Sequence, residues 1–280
     1  MIISTLHPVL TAYGRALRSQ LTGRMLLLSA IPFVLSLLLW GALLYWGYMP
    51  LNDAIRSLFE SHDGYQASSS LLATVGMGAL KTLVVPLIAM LMLLPLMIFT
   101  SLLFMGLVAM PAIASHVGAR QFPALEKKRG GGLAGSLKTN LLSLLLFVPL
   151  WLMTLPLYVF PPLAVLAQVV LWGWLTARVM SYDALADYAS EEERAALMRT
   201  QRRHLTLIGI ISGSVGALPG IVWIGGMVLS VLLFPFLAVL SVWIYLLIFI
   251  FTGLWFQYFC LQALADLRAS EGAAKANIVA

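Results

Sequence analysis

The chain has 280 residues, of which 61% are hydrophobic and 10% are charged, and its formal net charge is +6. Soluble domains carry about 25% charged residues, and a soluble globule of this size could not bury so much apolar surface. Several uncharged runs reach the roughly 20 residues that a helix needs to cross a bilayer. The composition therefore excludes a soluble protein and predicts an all-α integral membrane protein. The first apolar run is too long for the core of a signal peptide, so we expect no cleaved leader.

The charged residues fall into five segments that differ in their content of Lys and Arg. The segment that ends at Arg24 holds three, residues 49–78 hold one, residues 111–140 hold five, residues 181–204 with the preceding Arg178 hold five, and the tail after Leu261 holds two. Cytoplasmic loops of membrane proteins carry an excess of these residues. We therefore expect 49–78 to be an external loop. The other four segments, and with them both termini, are expected to be cytoplasmic.

The apolar residues between these segments predict one membrane domain with two long transmembrane helices, at about 25–48 and 79–110. Because the segments on either side of each remaining apolar region are both expected to be cytoplasmic, 141–177 and 205–261 must each cross the membrane an even number of times. We therefore predict two shorter helical hairpins there. Each hairpin either crosses fully or turns inside the membrane, which is possible only where protein or water satisfies the backbone.

Prolines mark the expected turns, because proline removes a backbone donor and clashes with the preceding helical turn. In the first hairpin the breaks are Pro156, Pro161 and Pro162, and the half from Pro162 to Ala177 is short for a span, which favours partial insertion. In the second hairpin we expect kinks or turns at Pro219-Gly220 and at Pro235. That region also has room for a full helix pair and a re-entrant piece at 205–219.

Residues 181–204 form the cytoplasmic connection between the hairpins and contain a predicted helix. Ser190 and Glu193 have the spacing of a capping box, in which each side chain bonds the other residue's backbone N–H. We expect the helix to continue through His204 into the next apolar run, and to be a solvated entry that anchors the topology. Alternatively, its basic residues line an anionic vestibule or bind lipid phosphates; these are Arg199, Arg202 and Arg203.

The motif search yields no catalytic or metal-binding signature. The four histidines lack ligand spacing, and the Gly130–Gly132 run lacks the residues of a phosphate loop, so we interpret it as a flexible joint. The small residues of "SGSVG" at 212–216 are typical of close helix packing. The predicted spans lack the carboxylates that proton- and sodium-coupled carriers use. We therefore predict no enzyme, cofactor or metal, and no nucleic-acid partner.

Three segments resemble the CysZ-like sulfate transporter family, which includes the etoposide-induced membrane proteins. They are "ALRSQLTGRMLLLSAIPFVLSLLLW", "MPAIASHVGARQFPALE" and "VLWGWLTARVMSYDALADYASEEERAALMRTQRRHLTLIGIISGSVGALPG". The resemblance covers most of residues 10–240. It implies a multi-pass protein of the bacterial cytoplasmic (inner) membrane, with two long spanning helices and shorter hairpins. It also implies sulfate uptake for cysteine synthesis.

The resemblance also suggests where an anion binds. The family has a Gly-x-Arg element before its first long helix, and here arginine follows glycine directly, as Gly23-Arg24. We expect these two residues to form an anion-binding site, with Arg202 and Arg203 as further candidates. The expected cargo is sulfate or a related oxyanion. The expected partners are membrane lipids and, if the protein forms a homo-oligomer, further copies of the chain. The alternative is a non-transporting membrane scaffold or biogenesis factor, in which the arginines serve topology alone.

Overall fold

The computed structural model of the protein describes residues 2–60, 100, 109–216 and 230–279, and this part of the chain is helical and contains no strand. Within these described ranges, four helices carry an apolar segment long enough to cross a bilayer, so the all-α membrane fold is confirmed: Met25–Gly47, Ala134–Met153, Pro162–Leu185 and Leu240–Ala273. In chain order the helices are α1 (Ile2–Gln20), α2 (Gly23–Glu60), α3 (Met110–Gln121), α4 (Leu133–Met153), α5 (Pro161–Leu185), α6 (Glu191–Thr200), α7 (Arg202–Gly216) and α8 (Ser230–Val279).

Helix α8 is the centre of the described structure. It has 50 residues and is about 75 Å long, more than twice the thickness of the hydrocarbon core. Helices α1, α2, α3, α5 and α7 all pack on it. It supplies six of the eleven largest fully buried side chains in the described part of the chain, namely Leu246, Ile250, Leu254, Phe256, Leu261 and Leu264. The polar contacts of α1 with α8 include a bond of 3.0 Å from the Trp255 indole N–H to the carbonyl of Val9.

The apolar part of α2 coincides with the predicted first span. However, the helix continues to Glu60, so the predicted external loop 49–78 begins with about twelve helical residues. Charge marks where the hydrocarbon ends, whereas a helix can continue into water, so the end of the apolar segment at Gly47 agrees with the predicted span although the helix is longer. The predicted span 79–110 lies almost entirely outside the described residues. Within it, Thr100 accepts a hydrogen bond of 2.9 Å from the indole N–H of Trp40, which brings these two predicted spans together.

Helices α4 and α5 form a hairpin over the predicted region 141–177. A 3-10 turn at Leu155–Val159 joins them. Helix α5 is longer than we inferred, because it continues past Ala177 to Leu185 and has 25 residues, or about 37 Å. The prediction that this half of the hairpin is short for a span was therefore wrong, and it no longer supports partial insertion. Ser136 donates to the Asp183 carboxylate between the two helices, and Gln168 donates to the Thr154 hydroxyl near the tip.

Helices α5 and α7 approach each other closely through glycine. A Cβ on Gly209 would lie 2.2 Å from the carbonyl oxygen of Gly173, and one on Gly173 would lie 2.6 Å from the Cα of Ile210. A Cβ on Gly213, in the "SGSVG" run, would lie 3.4 Å from the backbone nitrogen of Gly173. The interpretation of this run as a packing motif is confirmed for Gly213, whereas a Cβ on Gly216 would meet nothing within 4 Å.

The connection at 181–204, which the sequence predicts to be cytoplasmic, differs from its predicted structure in two respects. The capping box of Ser190 and Glu193 is present and begins α6 as expected. The helix does not run on through His204, because the chain turns at Gln201 and α7 begins at Arg202. Helix α6 packs on the segment before α4, whereas α7 packs on α5. The chain turns at Gln201 because these two packing partners require the two helices to run in different directions. The helix is also not fully solvated, since Glu193, Arg194 and Leu197 are buried.

The glycine run before α4 is a tightly packed joint and not a flexible one. The backbone N–H groups of Arg129 and Gly130 donate to the carbonyls of Asp187 and Ala189, at 3.1 and 2.9 Å. A Cβ on Gly130 would lie 2.5 Å from the Ala189 carbonyl oxygen, and one on Gly131 would lie 2.9 Å from the Cα of Ala186. Glycine is needed here because two backbones meet.

The predicted hairpin 205–261 lies only in part within the described residues. Helix α7 covers its beginning, and the expected break at Pro219-Gly220 lies outside the described residues. The chain is helical on both sides of Pro235, within α8, so a chain turn at Pro235 is wrong. Proline at this position is accommodated inside a long helix, as happens in membrane helices where neighbouring groups satisfy the freed carbonyl.

Candidate anion site

A cavity of about 360 Å³ lies between α4, α5, α6 and α7. Two arginines line it, Arg178 from α5 and Arg202 from the first turn of α7. A water molecule takes about 30 Å³ in the liquid, so the cavity has room for on the order of ten waters or for a partly hydrated oxyanion. The other lining residues are polar hydroxyl carriers and apolar side chains: Thr139, Trp174, Ala177, Ser181, Tyr182, Met198, Leu205 and Thr206.

Arg178 and Arg202 line the same cavity because α5 and α7 run antiparallel. The glycine contacts set the register, with Gly209 beside Ala177 and Gly213 beside Gly173. This register places the start of α7 beside the last turns of α5. On α5, Arg178, Ser181 and Tyr182 have the i, i+3, i+4 spacing of one helix face, and on α7 Arg202 and Thr206 are also four residues apart. The cavity is thus formed where these two faces meet.

The cavity is electropositive, because the described residues that line it include two arginines and no carboxylate. Among the described residues, the ion pairs are those of Glu193 with Lys128 and Arg268, and neither pair involves a cavity arginine. The Arg178 guanidinium lies over the Trp174 ring, 5.6 Å from its centroid. Arg202 is exposed and begins its helix. Both guanidinium groups are therefore placed to meet an anion.

The walls of the cavity are fixed by contacts behind them. The Tyr182 hydroxyl packs so closely on α4 that a Cβ on Gly135 would lie 2.1 Å from it. On its other side, the Arg194 guanidinium lies 4.4 Å from the Tyr182 ring centroid and also donates to the carbonyl of Gly130 at 2.9 Å. Arg194 therefore links α6 both to α5 and to the glycine run before α4.

An ion cluster around the buried Glu193, which we call the Glu193 cluster, holds α6 in place and consists of Glu193, Lys128 and Arg268. The Glu193 carboxylate accepts from Lys128 at 2.7 Å and from Arg268 at 3.0 Å. Burial alone would raise the pKa of Glu193, but the hydrogen bonds from Arg268, Lys128 and the backbone N–H of Ser190 outweigh it and lower the pKa to about 2. Arg268 also donates to the carbonyls of Glu126 and Tyr188, so it ties α8 to two further segments.

The residues proposed from the sequence divide between several places. Arg202 lines the cavity, whereas Arg203 lines a larger apolar groove on the neighbouring surface, which Arg202 also borders. Gly23 is exposed and begins α2, and a Cβ there would meet nothing within 4 Å, so no close contact requires glycine. Arg24 lies in the first turn of α2, and its side chain is outside the described set. Arg199 is exposed and bonds the Ala195 carbonyl of its own helix.

Sequence reasoning missed Arg178, Thr139, Ser181, Tyr182 and Thr206 as cavity residues. In the sequence Arg178 counts only among the basic residues that predict the orientation, and it is not predicted as a site residue. The i, i+3, i+4 spacing after Arg178 is the feature that would have revealed a polar face on α5. Thr139 carries no such pattern, because its position depends on how α4 packs on α5.

These features define the class of the protein, which is a multi-pass helical membrane protein with an electropositive cavity beside its hairpin helices. The chain belongs to the family described as "Sulfate transporter CysZ/Etoposide-induced protein 2.4", whose sequence model matches residues 12–225. The match covers more than half of the chain and confirms the resemblance found in the sequence. No curated protein matches the chain, and neither does any solved structure.

Proposed function

We propose that the protein is an anion permease or channel whose cargo is sulfate or a related oxyanion. The observation that carries the proposal is the convergence of Arg178 and Arg202 in one cavity without a carboxylate. The family description, which names sulfate transport, supports the same class of cargo. We further propose that the protein resides in a bacterial cytoplasmic membrane with both termini inside, and that it supplies sulfate for sulfur assimilation.

In this proposal the cavity replaces part of the hydration shell of the anion. The guanidinium of arginine presents a planar set of donors that can bond two oxygens of a tetrahedral anion at once. The hydroxyls of Thr139, Tyr182 and Thr206 add donors of suitable size. The apolar walls, Trp174 and Leu205, reduce competition from water, which strengthens each electrostatic contact. Gly23 and Arg24 remain candidates for an anion contact at the start of α2, and Arg203 for one outside the cavity.

The experiment compares sulfate binding to the purified protein, and sulfate uptake into proteoliposomes, for the parent, Arg178→Gln and Arg202→Gln. A charge-assisted hydrogen bond contributes about 1.5–3 kcal/mol, so each change should weaken binding by roughly tenfold or more. Arg199→Gln is the matched control, because it removes the same charge from an exposed position that does not line the cavity. Arg24→Gln tests the second candidate location separately.

Two results would contradict the proposal. If the parent neither binds nor transports sulfate, the protein is better explained as a non-transporting membrane scaffold. If the parent transports sulfate but Arg178→Gln and Arg202→Gln behave like Arg199→Gln, transport does not use this cavity. A selective loss in Arg24→Gln would then move the site to the start of α2.

A further inference from the structure

An apolar groove of about 1160 Å³ runs over the surface of the α4–α5 hairpin and reaches α7. Its floor and rims are aliphatic side chains that remain exposed, among them Met153 at 75% and Leu166 at 61% of full exposure. Leu163 lies near the hairpin tip, and Trp174 follows Gly173, which packs against Ile210 of α7. Exposed apolar side chains in a continuous groove are suited to contact with hydrocarbon and not with water.

The length of the groove matches one leaflet of a bilayer. Along α5 it extends from Leu163 to Trp174, which at 1.5 Å per residue is about 16 Å. The hydrocarbon core of a bilayer is about 30 Å thick, so one leaflet contributes about 15 Å. One lipid chain lying along α5 would therefore fill the stretch of the groove between Leu163 and Trp174.

The end of the groove at α7 carries positive charge. Arg202 and Arg203 line it there, Thr206 adds a hydroxyl, and no carboxylate lines any part of the groove. Both arginines are exposed. Basic pockets between membrane helices at the cytoplasmic side bind anionic headgroups, and the count of Lys and Arg assigns this end to the cytoplasmic side.

We propose that this groove binds one anionic phospholipid of the cytoplasmic leaflet. Its acyl chain lies along α5 between α4 and α7, and its phosphate lies at Arg203 and Arg202. Charge complementarity selects an anionic headgroup over a zwitterionic one, and the aliphatic walls select a lipid over free phosphate. The site adjoins the cavity described above and shares Trp174, Arg202 and Thr206 with it, but Arg203 borders only the groove and Arg178 borders only the cavity.

The test measures lipid binding to the purified full-length protein in a mild detergent by native mass spectrometry. The probes are dioleoyl phosphatidylglycerol and dioleoyl phosphatidylcholine, each titrated separately. The parent should retain phosphatidylglycerol preferentially. Arg203→Gln should reduce this preference roughly fivefold, the size of effect expected for one basic residue near an anionic headgroup. Arg203→Lys should keep most of it, and Arg199→Gln should leave it unchanged.

A second variant tests the chain-binding part of the site. Ala167 lines the groove, so Ala167→Phe should fill it and lower the retention of phosphatidylglycerol, whereas Val165→Phe places the same aromatic ring at an exposed position that does not line it. Equal preference for the two lipids in the parent, or an unchanged preference in Arg203→Gln, would overturn the proposal. So would a loss of binding in Arg203→Gln with none in Ala167→Phe, because it would indicate a headgroup contact alone. Displacement of the lipid by inorganic phosphate would identify free phosphate as the occupant. Dimers that form without lipid would identify a second copy of the chain as the occupant.

Discussion

Arginine side chains have two different roles in this molecule. Arg194 and Arg268 are bonded to backbone carbonyls and to a carboxylate, and they hold separate segments together. Arg178 and Arg202 instead line a cavity without a carboxylate, and Arg203 lines the groove. This difference follows from position. Arg194 and Arg268 lie next to segments whose backbone carbonyls need hydrogen-bond donors, whereas the other three arginines lie where the faces of two helices meet.

The Glu193 cluster leads to a prediction about stability. Glu193→Gln keeps the side-chain acceptor of the capping box, because glutamine also serves at this position, but it removes the charge that Arg268 and Lys128 contact. We expect the free energy of unfolding to fall by about 1–3 kcal/mol at neutral pH. Thermal unfolding of the purified protein in detergent, followed by tryptophan fluorescence, measures the change. Glu192→Gln, at an exposed neighbouring position, is the control and should have little effect.

The pH dependence of this difference has a definite sign. The folded-state pKa of Glu193 is lowered from 4.5 to about 2, so the carboxylate stabilises the fold fully above about pH 4.5. The contribution is lost as the pH falls from about 4.5 towards 2. The parent and Glu193→Gln should therefore differ most at neutral pH and converge in acid. A difference that is the same at pH 7 and at pH 3 would contradict an ionised Glu193 as its source.

At the scale of the helices, the crossing of α5 and α7 positions both cavity arginines. Gly209→Ala would place a Cβ 2.2 Å from the Gly173 carbonyl oxygen, which is backbone and cannot rotate away. Overpacking of this kind costs about 1–3 kcal/mol, which exceeds the gain of up to about 1 kcal/mol from replacing glycine in a helix. We therefore expect a lower melting temperature together with weaker sulfate binding, because separation of the helices moves Arg202 away from Arg178.

The control for this prediction is on the same helix. Gly216→Ala adds the same methyl group where nothing lies within 4 Å, so it should be neutral or slightly stabilising. Melting temperatures and sulfate affinities are compared for both variants. Equal behaviour of Gly209→Ala and Gly216→Ala would mean that the crossing does not depend on the glycine contact.

Local chemistry was predictable from the sequence, and long-range contact was not. The capping box at Ser190 and Glu193 follows from spacing along one helix, and it is present. The joint at Gly130 was misread because its partner, Ala189, is distant in the sequence. The break at Gln201 carries no proline or glycine, since it arises from two helices packing in different directions. For the same reason, only one of the two cavity arginines was predicted: Arg202 was proposed as a site residue, and Arg178 was not.

At the scale of the whole molecule, the distribution of Lys and Arg predicts the orientation in the membrane. We expect a cysteine placed at Ser68, in the predicted external loop, to react with an impermeant maleimide added to intact cells. One placed at Thr200, which is exposed on α6, should react only after permeabilisation. The natural Cys260 is buried and should contribute little background. Labelling of Thr200→Cys but not of Ser68→Cys in intact cells would invert the topology.

The depth of the α4–α5 hairpin tip follows from its surface and its backbone. Helices α4 and α5 are each long enough to cross a bilayer, so length alone does not decide whether the tip emerges. The tip is nevertheless apolar, with Val159 91% and Phe160 57% exposed. Its backbone donors are satisfied locally, since the N–H groups of Thr154, Leu157 and Phe160 bond carbonyls within the turn. The three prolines of the turn, Pro156, Pro161 and Pro162, have no N–H to satisfy.

We therefore predict that the tip stays within the hydrocarbon. In water, exposed aliphatic and aromatic side chains forgo about 1.5–3 kcal/mol each relative to full burial, whereas in the bilayer the turn leaves few unsatisfied donors to oppose insertion. A nitroxide spin label at Phe160→Cys, in a Cys260→Ser background, should be relaxed more by oxygen than by a water-soluble nickel complex. A label at Ser68→Cys, in the predicted external loop, should show the reverse. If both labels are equally accessible to the nickel complex, the tip emerges into water and the hairpin crosses the membrane completely.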